Sequence, residues 1–301
     1  MSSLPRTLLI VAGLAWPTLA AAQAQQTFPT PETAAQALVD ALGTEHADQA
    51  KLSALLGANW HSLITLEGVA RKDVDAFLKQ YQQHHAIETP SADKAVLTVG
   101  DKAWAFPVPL AKTANGWHFD TKAGAEEMRV RRIGRNELAA VQSELAYHDA
   151  QMDYAEVDHD GDGVLEYAQK IFSSDGQHDG LYWADDDSSE ISPLGPLFGD
   201  ATLGGDWHGY HFHILEAQGP SAPGGAYSYR LGDSMSRGFA LIGWPAKYAD
   251  SGVMSFMISH EGQVFEKDLG PSGEKLARAM KNFDPDDSWK AVPAVQEGNP
   301  P

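Results

Sequence analysis

Hydrophobic positions recur along this chain first at helical spacing and then at strand spacing, and the cycle then repeats. After the lead-in Thr27-Phe-Pro-Thr-Pro-Glu32, the residues Ala34, Leu38, Ala41 and Leu42 mark one helix face, with Thr30 as N-cap and Pro31 in the first turn. Leu52, Leu55 and Leu56 predict a short second helix, and Val74, Phe77, Leu78 and Tyr81 a third. Lys94–Gly100 and Ala103–Leu110 then read as strands, and Gly116–Asp120 follows a turn at Asn115-Gly116. The helical period returns after Asn136, a usable cap, with Leu138, Val141, Leu145, His148, Met152 and Ala155. Beyond residue 165 the period is mostly two. Gly209–Leu215, Ala226–Leu231, Gly238–Trp244 and Val253–Ser259 are expected as successive strands, the last turning at His260-Glu261 and returning through Val264 and Phe265.

Helices followed by strands, twice over, predict an α+β protein. The N-terminal unit of helices plus antiparallel strands takes residues 27–125, and a basic junction follows at 126–135. A long helix packed on an antiparallel meander takes residues 136–289, and residues 290–301 are expected to be a flexible tail.

Composition changes this picture in three ways. Twenty-two Lys and Arg against 41 Asp and Glu leave a formal charge of −19, which repels phosphate backbones and excludes nucleic-acid binding through a broad basic surface. The absence of cysteine removes disulfides, thiolate metal sites and Cys nucleophiles together. Residues 1–24 read as a signal peptide: Arg6 precedes the apolar run Thr7–Trp16, Pro17 breaks it, and Ala20–Ala24 supplies small residues for cleavage after Ala22 or Ala24. The run is shorter than a membrane span, so the expectation is an exported periplasmic or extracellular protein with no transmembrane anchor after cleavage.

The strongest local chemistry lies in Asp158-His-Asp-Gly-Asp-Gly-Val-Leu-Glu166. Calcium is a hard cation that takes ~6–8 oxygens, and a tight loop can present carboxylates to it at alternate positions. Asp158, Asp160 and Asp162 supply three, the Val164 carbonyl the next, and Glu166 another directly or through water. A helix-loop-helix site would want a glutamate at the twelfth position, where Gln169 stands, and Tyr167–Phe172 reads as a strand. The expectation is therefore an isolated loop with structural calcium. His208, His211 and His213 form a second candidate, since His211 and His213 share one strand face and three imidazoles can hold zinc; the alternative is a polar strand face opposite Tyr210, Phe212 and Ile214. His148, on an apolar helix face, reads as a core histidine satisfied by a hydrogen bond. Arg129–Arg135 is the one basic cluster, either paired with neighbouring carboxylates or offering an anion site. Asp185–Asp187 with Glu190 reads as a solvated acidic loop.

Several segments together resemble a bacterial family of exported proteins known only as a domain of unknown function, number twenty-nine fifty. They are Arg132–Leu138, Asp160–Gly163 with Glu166–Gln169, Asp179–Trp183, Ser192–Pro196, Gln218–Pro220 and Glu266–Gly270. The resemblance implies export and an α+β build, and it carries no catalytic residues to transfer. The N-terminal unit also resembles cystatin-like folds, and residues 136–270 resemble the heads of type IV pilin-like proteins, without the apolar N-terminal helix that lets pilins polymerise. The expected function is that of a calcium-stabilised binding or envelope-assembly module with an envelope protein as partner. The rivals are a hydrolytic or transfer enzyme, with a site between the domains built from Arg129–Arg135 and the histidine strand, and an inert structural subunit.

Overall fold

The computed structural model describes residues 25–64, 69–184, 191–195 and 205–293. The signal segment, the acidic run Asp185–Asp187 with Glu190, and the end of the expected tail lie outside these residues. The fold is α+β, and the chain divides into two compact units, residues 1–127 and 128–301. No helix among the described residues is long and apolar enough to cross a membrane.

In the first unit, three helices accompany an antiparallel sheet. Helix α1 (Pro31–Leu42) starts where expected, because the Thr30 side chain accepts the Thr33 N–H and Thr33 returns the bond to the cap. Helix α2 (Gln49–Leu56) is capped by Asp48, and α3 (Arg71–Gln83) buries Leu78 and Tyr81. The strands β1 (His85–Ser91), β2 (Lys94–Val99), β4 (Leu110–Thr113) and β5 (Gly116–Phe119) lie in that order, with β3 (Trp104–Ala105) also on β2. Two differences from the expectation have local causes. Pro107 and Pro109 cannot donate to a ladder, so the strand expected over Ala103–Leu110 breaks into β3 and β4. The unexpected β1 is almost wholly exposed, so it has no buried face to leave a period in the sequence. Gly116, at φ 118°, lets Phe28 pair with Trp117: a Cβ there would stand 2.5 Å from the Phe28 carbonyl oxygen.

The long helix α4 runs Thr121–Tyr154 and so starts fifteen residues before Asn136. Asp120 serves at its start, accepting the Ala123 N–H at 2.9 Å, and residues 121–135 are mostly good helix formers. Asn136 is no cap; its side-chain amide donates to the Ser251 carbonyl at 2.8 Å.

The second unit's main sheet has the order β13 (Lys290–Ala291), β11 (Phe265–Asp268), β10 (Met254–Ser259), β9 (Ala240–Pro245), β6 (Tyr210–Leu215), all antiparallel. The meander is therefore interrupted. Ala226–Leu231 does not join this sheet; its β8 (Tyr227–Ser228) pairs with β7 (Ala217–Gln218), which β12 (Asn282–Phe283) flanks on the other side. The turn through Pro220, Pro223 and Gly225 folds β8 back onto β7 before β9 begins, and Tyr229 buries itself completely. Lys290 and Ala291, expected in the tail, close the sheet edge against Glu266 and Phe265. Tyr167–Phe172 forms no regular strand, only a bridge between Phe172 and Tyr182. Val141, Tyr147 and Tyr154 of α4 share one buried core with Tyr210, Phe239, Ile242, Trp244 and Phe256. A short helix, α5 (Gly273–Ala279), packs on β9.

Candidate metal centre

The aspartates leave the end of α4 in a loop that folds on its own backbone. Gly161 and Gly163 take φ values of 76° and 86°, a region costly for other residues, which tightens the turn. Asp158 accepts the Gly161 N–H at 2.8 Å and the Gly163 N–H at 2.9 Å, Asp160 the Asp162 N–H at 3.1 Å, and Asp162 the Val164 N–H at 2.7 Å. The Gly163 N–H, followed by that of Gly161, holds the Asp158 carboxyl below the usual carboxylate range. Asp158, Asp160 and Asp162 each bring one oxygen within 4.8 Å of the others. Among the described residues they are the only three such side chains to converge. Three hard, anionic oxygens at that separation suit a divalent cation of the calcium type.

Glu166 is not drawn into this cluster. Its Oε2 accepts the Met235 N–H at 3.0 Å, and the Gln169 side chain donates to the Asp233 carbonyl at 2.7 Å, so the segment after the loop is fastened to the turn at residues 233–235. The same segment is fastened to α4 by the fully buried Gln151, which donates to the Ala168 carbonyl and accepts the Ala168 N–H, both at 2.8 Å, and donates to the Tyr147 hydroxyl at 2.9 Å. Gln151 was not singled out in the sequence because one polar residue on a helix face has no distinguishing signal.

Among the described residues His208, His211 and His213 do not converge as a group of three ligands. His211 faces the Gly205 carbonyl at 3.3 Å and lies beside Trp244, while His213 is pushed below its ordinary range by burial and then by Lys281 and Arg278. His148 meets the His260 carbonyl at 3.3 Å and Asp149 at 3.1 Å. Of the four arginines, Arg129 donates to the Ala249 carbonyl and Arg132 pairs with Asp250, while Glu137 accepts the N–H groups of Val253 and Met254 at 2.8 and 3.0 Å.

Two further features carried no sequence signal. Glu144 of α4 is completely buried against the sheet, where the backbone N–H of Gly243 faces it without hydrogen-bond geometry; both carboxyl oxygens lack a partner, and burial pushes the group well above the ordinary carboxyl range. A cavity of about 540 Å³ lies along β6, walled by Tyr147 of α4, by Ile171 and Phe172, and by Arg278 of α5.

No curated protein and no solved structure matches the chain, so neither the cystatin-like nor the pilin-head likeness gains support. A family model does match, over residues 25–292, which takes in both units, the aspartate loop and the walls of the cavity. On that match the chain belongs to DUF2950, a family of proteins of unknown function.

Proposed function

We propose that this protein is an exported binding or envelope-assembly module whose aspartate loop holds structural calcium. Convergence of Asp158, Asp160 and Asp162 within 4.8 Å carries the metal reading, because three like charges so close repel one another until a cation joins them. In this reading the Val164 carbonyl adds the next oxygen, and Glu166, whose Oε2 stays on the Met235 N–H, joins with its other oxygen directly or through water. The ion braces the joint between α4 and the segment that Gln151 fastens, and does no chemistry. The binding reading is supported by the cavity along β6, whose volume lies in the ligand-site range and whose walls mix aromatic and aliphatic side chains with polar and charged ones such as Gln169, His213 and Arg278. Export is supported by Arg6, the apolar run to Trp16 and the small residues through Ala24.

Millimolar calcium is expected to raise the melting temperature on the order of 5 °C over the same protein in chelator, since a ligand of the folded state alone stabilises it by mass action. Magnesium should do less, because it holds its waters and demands a tighter octahedron. An Asp160→Ala, Asp162→Ala double variant should lose the response. A wild-type melting temperature indifferent to calcium would remove the metal from this reading.

A further inference from the structure

We propose that the outer edge of β6 binds a short extended peptide as an added strand, preferring an acidic side chain between two apolar ones. The proposal names a ligand class for the binding reading above and rests on it.

Residues of an antiparallel pair alternate between bonding their partner and pointing away from it. The Ala246 N–H donates to the Gly209 carbonyl at 2.9 Å, and the register runs from Tyr210↔Pro245 to Leu215↔Ala240. His211, His213 and Leu215 therefore bond to β9, and Tyr210, Phe212 and Ile214 turn their backbone groups to the outer edge. Tyr210 spends both on Trp207, at 3.0 and 2.7 Å, and beyond the strand the Glu216 carbonyl accepts the Tyr229 N–H at 2.9 Å. Between these two closed ends, no backbone of the described residues pairs with Phe212 or Ile214. Their N–H and C=O groups face the cavity at strand spacing. An extended polypeptide offers donors and acceptors at the same repeat, which is the basis of recognition by strand addition.

Side-chain alternation then sets the preference. Peptide residues opposite Phe212 and Ile214 would share their face, on the side of Tyr147, and should be apolar. The residue opposite His213 would share the other face. There Arg278 stands over Trp244 at 5.2 Å, ion-paired with Glu274 through Nε alone at 3.0 Å so that its terminal nitrogens can still meet a carboxylate, and Lys281 adds positive charge near His213. Glu216, which would oppose an acid, is already paired with Arg230 at 3.6 Å. A cationic corner in a chain of charge −19 selects a carboxylate.

The test is residue-resolved hydrogen exchange on the full chain in calcium, with the blocked probe acetyl-Gly-Val-Glu-Val-Gly-amide and its lysine-for-glutamate counterpart. The Phe212 and Ile214 amides should exchange fast in the protein alone and slow on addition of the glutamate probe. That probe should bind about three- to fivefold more tightly than the lysine one, a difference lost in Arg278→Gln. N-methylating both valine amides should abolish binding, whereas N-methylating the glutamate amide should not. Ile214→Pro, which deletes an outward N–H and no bond to β9, should also abolish it. Slow exchange of both amides without probe would overturn the proposal, because the chain itself would cover the edge. So would protection elsewhere, no binding, or indifference to valine N-methylation. A calcium shift without probe protection sinks strand addition alone; protection without a calcium shift sinks the metal alone.

Discussion

Glu144→Met is expected to stabilise the protein at pH 7 by about 2 kcal/mol or more, read as a rise of roughly 4–8 °C in melting temperature. Methionine keeps the length of the side chain and removes two buried oxygens that have no hydrogen-bond partner. The effect must depend on pH. Burial raises the folded-state pKa above that of the unfolded chain, so above the ordinary carboxyl range the unfolded state sheds a proton that the folded state keeps. Glu144 therefore takes about 1.4 kcal/mol per pH unit from the stability of the wild type relative to the variant from that range upward, and the loss stops only once the buried group itself ionises. Below it both states are protonated and the gap between variant and wild type should narrow to what the unpaired oxygens alone cost. Denaturant titrations at pH 4, 5.5 and 7 decide the matter. A gap that does not grow with pH would mean that Glu144 is charged and compensated in the folded protein.

Gln151→Leu should act in the opposite direction, costing about 3 kcal/mol. The change fits the volume but strands the N–H and carbonyl of Ala168 and removes a partner from the Tyr147 hydroxyl, all inside the core. Gln142→Leu, at an exposed position of the same helix, is the control and should shift stability by no more than about 0.5 kcal/mol. Equal melting temperatures for the two variants would show that the Gln151 bonds are replaced by water.

The elements that could be read from the sequence are those whose signals are local. Helix α1 announces itself through Thr30, Pro31 and an apolar repeat, and the aspartate loop through carboxylates adjacent in the chain. The first turns of α4 could not be read, because Glu126, Glu127 and the arginines at 129, 131, 132 and 135 give no apolar stripe, and Asn136 imitates a cap while serving Ser251. Glu166 is drawn off by Met235, a residue far away in the chain. The edge of β6 depends on which backbone groups are left over once β9 has paired, and backbone groups look the same in every sequence.

The order of the main sheet also bears on the sequence of events in folding. Strands β9, β10 and β11 are joined by short turns, the last from Ser259 to Phe265, so they can pair at small loop-closure cost. Strand β6 reaches β9 only after the excursion from Leu215 to Ala240, which carries β7 and β8. Late docking of β6 follows, because non-local pairing waits on the entropy of closing that excursion. In kinetic experiments, side-chain truncations in β10 should slow refolding, while those in β6 should chiefly hasten unfolding. A peptide held on the outer edge of β6 would grip the strand that arrives last, and would therefore lengthen the lifetime of the folded protein without speeding its formation.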